Sequence, residues 1–161
     1  MNIFFLSWFP EDCAKQHCDK HVVKMIVETA QLLSTAHQIN GVRRTDMYKP
    51  THVNHPCAKW VRERADNYSW TYKLLKFLCE EYTFRYGKIH KTESLLKVLR
   101  DNPVISPRGM TLPAQAMPDQ YRNPSPVRAY RNYYIEEKKK FAKWTNREVP
   151  EWFNVDRWPS G

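Results

Sequence analysis

CDKHVVKMIVETAQLL, residues 18–33, is the stretch that decides the fold. Its apolar residues recur at the three- and four-residue spacing that places side chains on one face of an α-helix. One such stripe should face a core: Val22, Ile26, Ala30 and Leu33. His21 and Glu28 fall on a second stripe, about a quarter turn from the first. The pattern predicts a long helix that is buried on one side and carries a polar pair at the edge of the core.

The polar pair has two interpretations. A histidine and a carboxylate at the rim of a core can line a cleft, where they could serve as acid–base groups. They can equally form a solvated rim or a structural pair, because ionisable groups inside proteins are normally hydrogen-bonded to partners. The spacing of His21 and Glu28 alone leaves both interpretations open.

The composition predicts one mainly α-helical domain over residues 1–161. A chain of 161 residues with 42% hydrophobic side chains can bury an ordinary core. The four cysteines follow no disulfide framework, which favours reduced thiols in the cytosol. The apolar run at residues 2–9 is too short for a signal peptide or a membrane span. We therefore expect a soluble, cytoplasmic monomer with no membrane partner.

The charge of the chain points to a polyanionic partner. The net charge is +9, the isoelectric point is near 9.4, and aromatic residues make up 14% of the chain. A basic surface that is rich in aromatic side chains favours nucleic acid, although many basic proteins bind none.

The helices expected in the first half are separated by recognisable breaks. Residues 2–8 should form an extended arm or a short strand. The first long helix should begin between Pro10 and Asp19 and run to about His37, with Asn40-Gly41 ending it. A second helical pattern runs from Pro56 to Tyr86, with a possible break near Asp66-Asn67 and Gly87 as its stop. Thr92 should cap a short helix that runs through Leu99.

The last helix is the clearest candidate for binding nucleic acid. Six of the eleven prolines lie in residues 102–126, which we predict to be an ordered loop, and Ser125 then opens a helix to about Trp144. Between residues 122 and 147 there are eight basic residues against two acidic ones. Basic side chains neutralise phosphates and aromatic rings stack on unpaired bases. The candidate phosphate contacts are Arg128, Arg131, Lys138, Lys139 and Lys143, and the candidate stacking groups are Tyr133 and Trp144. The alternative is an amphipathic helix with aromatic core residues and solvated lysines.

Two clusters of histidine and cysteine invite a metal interpretation. They are His17-Cys18 with His21, and His52 with His55 and Cys57. The spacing of His17 and His21 can chelate, but the chain contains neither a CxxC pair nor an HExxH motif. Only four glycines occur and none forms a phosphate-binding loop, which excludes a P-loop nucleotide hydrolase. We expect no metal and no cofactor.

Several of these residues together resemble a known family. Asp19-x-His21-x6-Glu28 behind a short N-terminal segment is similar to the start of the pyrimidine-dimer DNA glycosylases of the phage endonuclease V type. His55-Pro56 followed by Trp60, and the helix end EEYTFRYG at residues 80–87, are similar to elements of bacterial relatives. The resemblance covers roughly residues 1 to 90.

The resemblance implies a compact all-α fold that kinks double-stranded DNA and flips a base out of it. It implies attack on the sugar C1′ by the N-terminal α-amine, carried here by Met1 next to Asn2, with Glu28 assisting. An α-amine has an ordinary pKa near 7.7–8.0, so a useful fraction is nucleophilic near pH 7. His21 would orient the glutamate or contact the DNA backbone. The chain departs from the phage enzyme at Asn2, where the latter has threonine, and at Ile3, Val27 and Gln31, where it has arginines.

The expectation from sequence is therefore a DNA glycosylase, with or without lyase activity at the abasic site, that removes a damaged or modified base. Two alternatives stay open: a nucleic-acid-binding protein without enzymatic activity, and an enzyme of the same scaffold that acts on modified bases or on RNA.

Overall fold

The computed structural model describes residues 2–39, 41 and 43–153. Over these ranges the chain forms α-helices, three short 3-10 turns and no β-strand, which confirms the mainly α fold. The helices are α1 (Pro10–Gln16), α2 (Asp19–Gln38), α3 (Pro56–Glu63), α4 (Ala65–Tyr86), α5 (Leu96–Leu99) and α6 (Pro126–Lys138). Met1 and Asn40, which carried the expected nucleophile and part of the expected stop of α2, lie outside the described residues.

The N-terminal arm, residues 2–9, is an extended segment and not a strand. Its side chains from Ile3 to Leu6 are at most 4% exposed. Phe4 stacks on His21 and on Tyr133, with ring centroids 4.5 and 6.3 Å apart. The Leu6 carbonyl accepts a hydrogen bond of 2.9 Å from Arg131 Nε. The start of the chain is therefore threaded between α2 and α6.

Short extended breaks separate α1 from α2 and α3 from α4. His17 and Cys18 separate α1 from α2, and the Asp19 N–H donates to the Lys143 carbonyl. Arg64 separates α3 from α4, two residues before the predicted break. The buried Asn67 spans this second break by donating from Nδ2 to the Trp60 carbonyl at 2.8 Å. A long-range contact thus accompanies the first break and a local one the second.

The helix ends follow local chemistry in most places. Gly87, at φ 68°, ends α4 in the left-handed conformation that glycine adopts without strain, as predicted. Ser125 caps α6 as predicted. The prediction for Thr92 was wrong, because His90 is the cap and accepts the Thr92 N–H.

The predicted end of α6 near Trp144 was also wrong, since the helix stops at Lys138. Beyond it the chain turns back to the start of α2. The Trp144 indole donates to the Gln16 carbonyl at 2.9 Å, and Thr145 bonds to Asp19. These contacts hold the segment after α6 against the start of α2.

The core forms one hydrophobic cluster that runs from the arm to Trp144. Both α1 and α2 pack mainly on α4, the longest helix. The stripe predicted to face the core does so, with Val22, Ile26, Ala30 and Leu33 at 0% exposure. In the part of the chain that is described, no helix is long and apolar enough to cross a lipid bilayer.

Candidate active site

Glu28 lies on the flank of α2 and lines a surface cavity. The side chain is 13% exposed, and Lys24 Nζ, one turn earlier, lies 3.8 Å from Glu28 Oε2. The cavity has a volume of about 400 Å³. We call it the Glu28 cavity. It is lined by Val23, Lys24, Val27, Glu28, Gln31, His52 and His90. A carboxylate in such a place can interact with a bound molecule and still be shielded from bulk water.

Histidines from two separate segments lie near this carboxylate. His52 reaches the Glu28 cavity from the loop before α3 and His90 from the turn after α4. His55 lies close enough to Glu28 for the carboxylate to raise its pKa, although burial has the larger, opposite effect and lowers the pKa overall. Burial also lowers the pKa of His90. Near pH 7, His55 and His90 are thus neutral imidazoles. Because each Nδ1 accepts a backbone N–H, each Nε2 carries the ring proton and can donate a hydrogen bond.

His52 is held in an uncommon backbone conformation. Its φ is +49°, in the left-handed region that disfavours residues with a side chain. Its Nδ1 shares a hydrogen bond of 2.8 Å with the Thr51 hydroxyl, which fixes the ring. Strained residues of this kind cluster at functional sites. This conformation could not be predicted, because nothing in the loop pattern marks a left-handed histidine.

Asn2 lies on the same side of the molecule as the Glu28 cavity. Its Oδ1 accepts a hydrogen bond of 3.7 Å from Cys57 Sγ, and its Nδ2 donates to the Ala116 carbonyl at 3.1 Å. The Cys57 N–H in turn donates to His55 Nδ1 at 3.0 Å. Two short contacts therefore connect Asn2 to the histidine beside Glu28.

His21 does not share the surroundings of Glu28. It is 4% exposed, its Nδ1 shares a hydrogen bond of 2.5 Å with the Tyr134 hydroxyl, and its ring stacks on Phe4. Burial, assisted by nearby cationic groups, lowers its pKa to about 3. Seven residues along a helix correspond to about 10 Å, so His21 and Glu28 stand two turns apart. The structure joins His21 to the arm and α6 and joins Glu28 to the histidine loops.

Asp19, the first residue of the Asp-x-His spacing, belongs to a buried ionic network. Its Oδ1 accepts from Arg85 Nη1 at 3.0 Å and from the Thr145 N–H at 2.9 Å. Arg85 also binds Glu81 Oε2, and Glu81 binds Arg147. Two of the sequence elements behind the family resemblance, at Asp19 and at residues 80–87, therefore meet in one place and hold α2, α4 and the segment after α6 together.

The candidate nucleic-acid contacts of the last helix divide between its two flanks. Arg128 and Arg131 line a cavity with Trp8, Phe9 and Trp152. Tyr133 and Lys138 lie instead beside Phe4, with Lys138 Nζ 4.9 Å from the centroid of the Tyr133 ring. Lys139 and Lys143 are exposed on the segment where α6 ends.

Trp144 is not available to stack on a base. The side chain is 8% exposed, its indole N–H is bonded to Gln16, and its ring packs on Phe153 at 4.8 Å between centroids. The half-buried Tyr133 remains as the stacking candidate from the sequence.

A row of cations leads from α6 toward the Glu28 cavity. Lys20 and Lys24 are exposed on α2, and Lys138 is half-buried on α6. All three act on the buried His21 and help to lower its pKa, which places them around one region. We call these three residues the lysine strip. Neither Lys20 nor Lys24 was expected from the sequence, because on a helix wheel they are ordinary solvated positions.

The two clusters of histidine and cysteine serve other contacts. His17 Nδ1 bonds to the Cys13 carbonyl at 2.7 Å, and Cys18 contacts the Tyr134 hydroxyl. His55 caps α3. Within the described ranges no three His, Cys, Asp or Glu side chains are grouped so as to hold a metal ion.

Residues 1–94, more than half of the chain, match the family model described as pyrimidine dimer DNA glycosylase. The chain therefore belongs to the pyrimidine dimer DNA glycosylase family, which confirms the resemblance seen in the sequence. The family name supports an enzyme of the DNA glycosylase class with DNA as its substrate. The chain matches no curated protein and no solved structure. The matched span includes Glu28 and the histidines around it, whereas α6 lies outside it.

Proposed function

We propose that the protein is a DNA glycosylase that removes a damaged or modified base from duplex DNA, with Glu28 acting at the sugar C1′. The observation that carries this proposal is the Glu28 carboxylate in its cavity, beside Lys24 and between His52 and His90. Breaking the bond from C1′ to the base develops positive charge on the sugar, which a fixed carboxylate stabilises. Because His90 Nδ1 accepts the Thr92 N–H, its neutral ring carries the proton on Nε2, and this N–H can donate a hydrogen bond to the departing base.

Base flipping is part of the proposal. The C1′ of a stacked, paired nucleotide is out of reach of a carboxylate on a protein surface, so the nucleotide has to leave the helix. The volume of the Glu28 cavity, about 400 Å³, lies within the range of small-molecule sites. Val23 and Val27 give it an apolar wall on which a base can rest.

The nucleophile at C1′ is proposed to be the N-terminal amine of Met1, as the family resemblance implies. The new bond from nitrogen to C1′ forms as the bond to the base breaks, and that electron pair leaves with the base. Loss of one amine proton lets the nitrogen lone pair break the C1′–O4′ bond, whose electron pair passes to O4′ together with a proton. The product is an open-chain iminium ion that keeps one N–H, and an abasic-site lyase step can proceed from it. The position of Asn2, joined through Cys57 to His55, supports this proposal because it brings the start of the arm to the side of Glu28.

DNA binding is proposed to use the lysine strip together with Arg128, Arg131, Lys139 and Lys143. Lysine and arginine neutralise backbone phosphates, and Tyr133 can stack on a base. His21 would act indirectly, by fixing Phe4 and Tyr134 between the arm and α6. We further propose that residues 1–161 work as a single domain and as a monomer.

The test is excision from a duplex that contains one thymine dimer, compared between the wild type and Glu28→Gln. The substitution keeps the shape of the side chain and removes its charge, so excision should fall at least about a hundredfold while DNA binding is retained. The matched control is Glu80→Gln, an exposed glutamate on α4, which should excise normally. Full activity of Glu28→Gln would refute the role of the carboxylate. Binding without excision by the wild type would favour a non-enzymatic nucleic-acid-binding protein.

The amine has a separate test. Borohydride reduces an iminium ion to a stable amine, so it should trap a protein–DNA adduct during the reaction. Acetylation of the terminus should abolish the adduct. Excision without any adduct would mean that water, and not the amine, attacks C1′, with Glu28 still assisting.

A further inference from the structure

A second cavity of the described chain is separate from Glu28. It has a volume of about 690 Å³ and lies between the end of the arm and α6. We call it the arginine groove, and the residues that matter for its chemistry are Trp8, Phe9, Arg128, Arg131, Ile135 and Trp152. None of the described residues that line it also lines the Glu28 cavity.

Two large aromatic side chains stand exposed at the mouth of the groove. Trp8 is 45% exposed and Phe9 is 69% exposed. Neighbouring exposed rings are informative, because folding normally removes such apolar surface from water. Their backbone is held in place: the Trp8 carbonyl accepts from the Trp70 indole at 2.9 Å, and the Phe9 N–H donates to Ser7 Oγ at 3.2 Å. The fold thus presents the two rings on a fixed turn.

The opposite wall of the groove is cationic. Arg131 is held between the Leu6 carbonyl and Trp152, with its guanidinium carbon 5.4 Å from the centroid of the indole ring. Arg128, one turn earlier, is exposed. Among the described residues that line the groove there are two arginines and no carboxylate. The groove therefore favours a ligand that carries both negative charge and flat rings.

We propose that the arginine groove binds an unpaired stretch of a DNA strand, with bases stacked on Trp8 and Phe9 and phosphates on Arg128 and Arg131. Aromatic platforms beside cationic side chains are the usual means of binding single strands without regard to sequence. The volume suits about one or two nucleotides, within the range of ordinary ligand sites. The inference rests on the proposed function in taking DNA as the polymer and in using Arg128 and Arg131 as phosphate contacts. It adds a second site, on the flank of α6 away from Tyr133.

The test measures binding of a fluorescent oligo(dT) decamer by anisotropy, next to a decamer of the same charge that has abasic sugars in place of all nucleosides. The wild type should prefer oligo(dT), because only that probe offers bases. Trp8→Ala and Phe9→Ala should each weaken oligo(dT) binding at least about fivefold and leave the abasic decamer unaffected, since one stacked base contributes about 1–3 kcal/mol. The side chains are exposed and the contacts of this turn are made by the backbone, so both variants should fold.

Matched controls lie elsewhere on the surface. Phe84→Ala removes an exposed ring on α4 and should change oligo(dT) affinity less than twofold. Arg128→Gln should lower the slope of log affinity against log salt by about 0.7, the value for one phosphate contact of a single strand. Arg108→Gln, at an exposed arginine in the proline-rich loop, should leave that slope unchanged.

The outcomes separate this inference from the proposed function. Equal binding of the two decamers, or unchanged binding by Trp8→Ala and Phe9→Ala, would overturn the inference even if thymine-dimer excision succeeds. Self-association that is lost in Trp8→Ala, without oligo(dT) binding, would overturn it in favour of a second copy of the chain. Base-dependent binding through the groove would uphold it even if the wild type excises nothing.

Discussion

Two helical glutamates, Glu28 on α2 and Glu81 on α4, show how differently one fold can use the same side chain. Glu81 is 3% exposed, and its two oxygens accept hydrogen bonds of 2.8 to 3.3 Å from the guanidinium groups of Arg85 and Arg147. Glu28 is 13% exposed and faces a cavity with a lysine and histidines around it. Guanidinium partners are permanently charged and fix a carboxylate, whereas imidazoles near neutrality exchange protons. Glu81 thus anchors its end of the molecule, whereas the surroundings of Glu28 suit the chemistry proposed for it.

The largest expected effect comes from breaking the anchored end. The Arg85 side chain is fully buried and binds Glu81, Asp19 and the Lys15 carbonyl. Arg85→Met leaves two carboxylates short of a partner, so the free energy of unfolding should fall by about 3–5 kcal/mol. Urea denaturation measures the change, with Arg108→Met at an exposed site as the control. A loss below about 1 kcal/mol would mean that the network does not anchor the fold.

The second largest effect is expected at Glu28, on activity and not on stability. Glu28→Gln should reduce excision at least about a hundredfold, which corresponds to about 2.7 kcal/mol of transition-state free energy. Its free energy of unfolding should change by less than about 1 kcal/mol, because no buried guanidinium pair is broken. A stability loss as large as that of Arg85→Met, found by the same urea titration, would place Glu28 with the anchors.

The third effect concerns His21, which lies between the two ends. Burial lowers the pKa of His17 to about 4 and that of His21 to about 3, so both are neutral in the folded protein. In the unfolded chain they take up protons below about pH 6.5, and stability should therefore fall as the pH drops through this range. Each such histidine contributes about 1.4 kcal/mol per pH unit.

His21→Asn isolates one of these contributions. The asparagine amide can keep a hydrogen bond to Tyr134 and does not titrate. The baseline is the difference in unfolding free energy between wild type and variant at pH 7.5. When the pH is lowered to 5, the wild type should lose about 2 kcal/mol more unfolding free energy than the variant does. Parallel pH profiles would show that His21 is not held neutral.

The smallest effect sharpens the comparison by asking which end faces DNA. Lys20 belongs to the lysine strip, while Lys15 lies by Glu81 and pairs with Glu11 at 3.3 Å. Lys20→Gln should lower the slope of log affinity against log salt for duplex DNA by about 0.9, and Lys15→Gln should leave the slope unchanged. The reverse result would put DNA on the anchored end.

The sequence was sufficient for features that depend on local chemistry. Helical spacing at 18–33 identified α2 and its buried face, and Gly87 and Ser125 were recognised as a stop and a cap. Features that depend on contacts between distant residues could not be predicted from the sequence. The end of α6 at Lys138 depends on contacts to Gln16 and Asp19, more than a hundred residues earlier.

The same division applies to the site. Glu28 was recognised as a candidate because a carboxylate stands out in an apolar helix. The expected pairing with His21 did not appear in the geometry, since Tyr134 supplies the hydrogen bond to His21 across 113 residues of sequence. His52 and His90 come to Glu28 from loops, where no periodic pattern exists to align them. Trp8 and Phe9 lie in an apolar segment of the sequence, where burial would be expected. Their exposure is seen only in the folded structure.

The buried arm has a consequence for synthesis on the ribosome. Its bonds to Ala116 and Arg131 join residues that are 114 and 125 positions apart. Translation proceeds at about 5–20 residues per second. The arm is therefore synthesised roughly 6 to 25 seconds before Arg131, to which it binds. Until then Phe4 and its neighbours are open to water and to chaperones. The arm is thus seated only after Arg131 has been translated, later than every described residue that lines the Glu28 cavity.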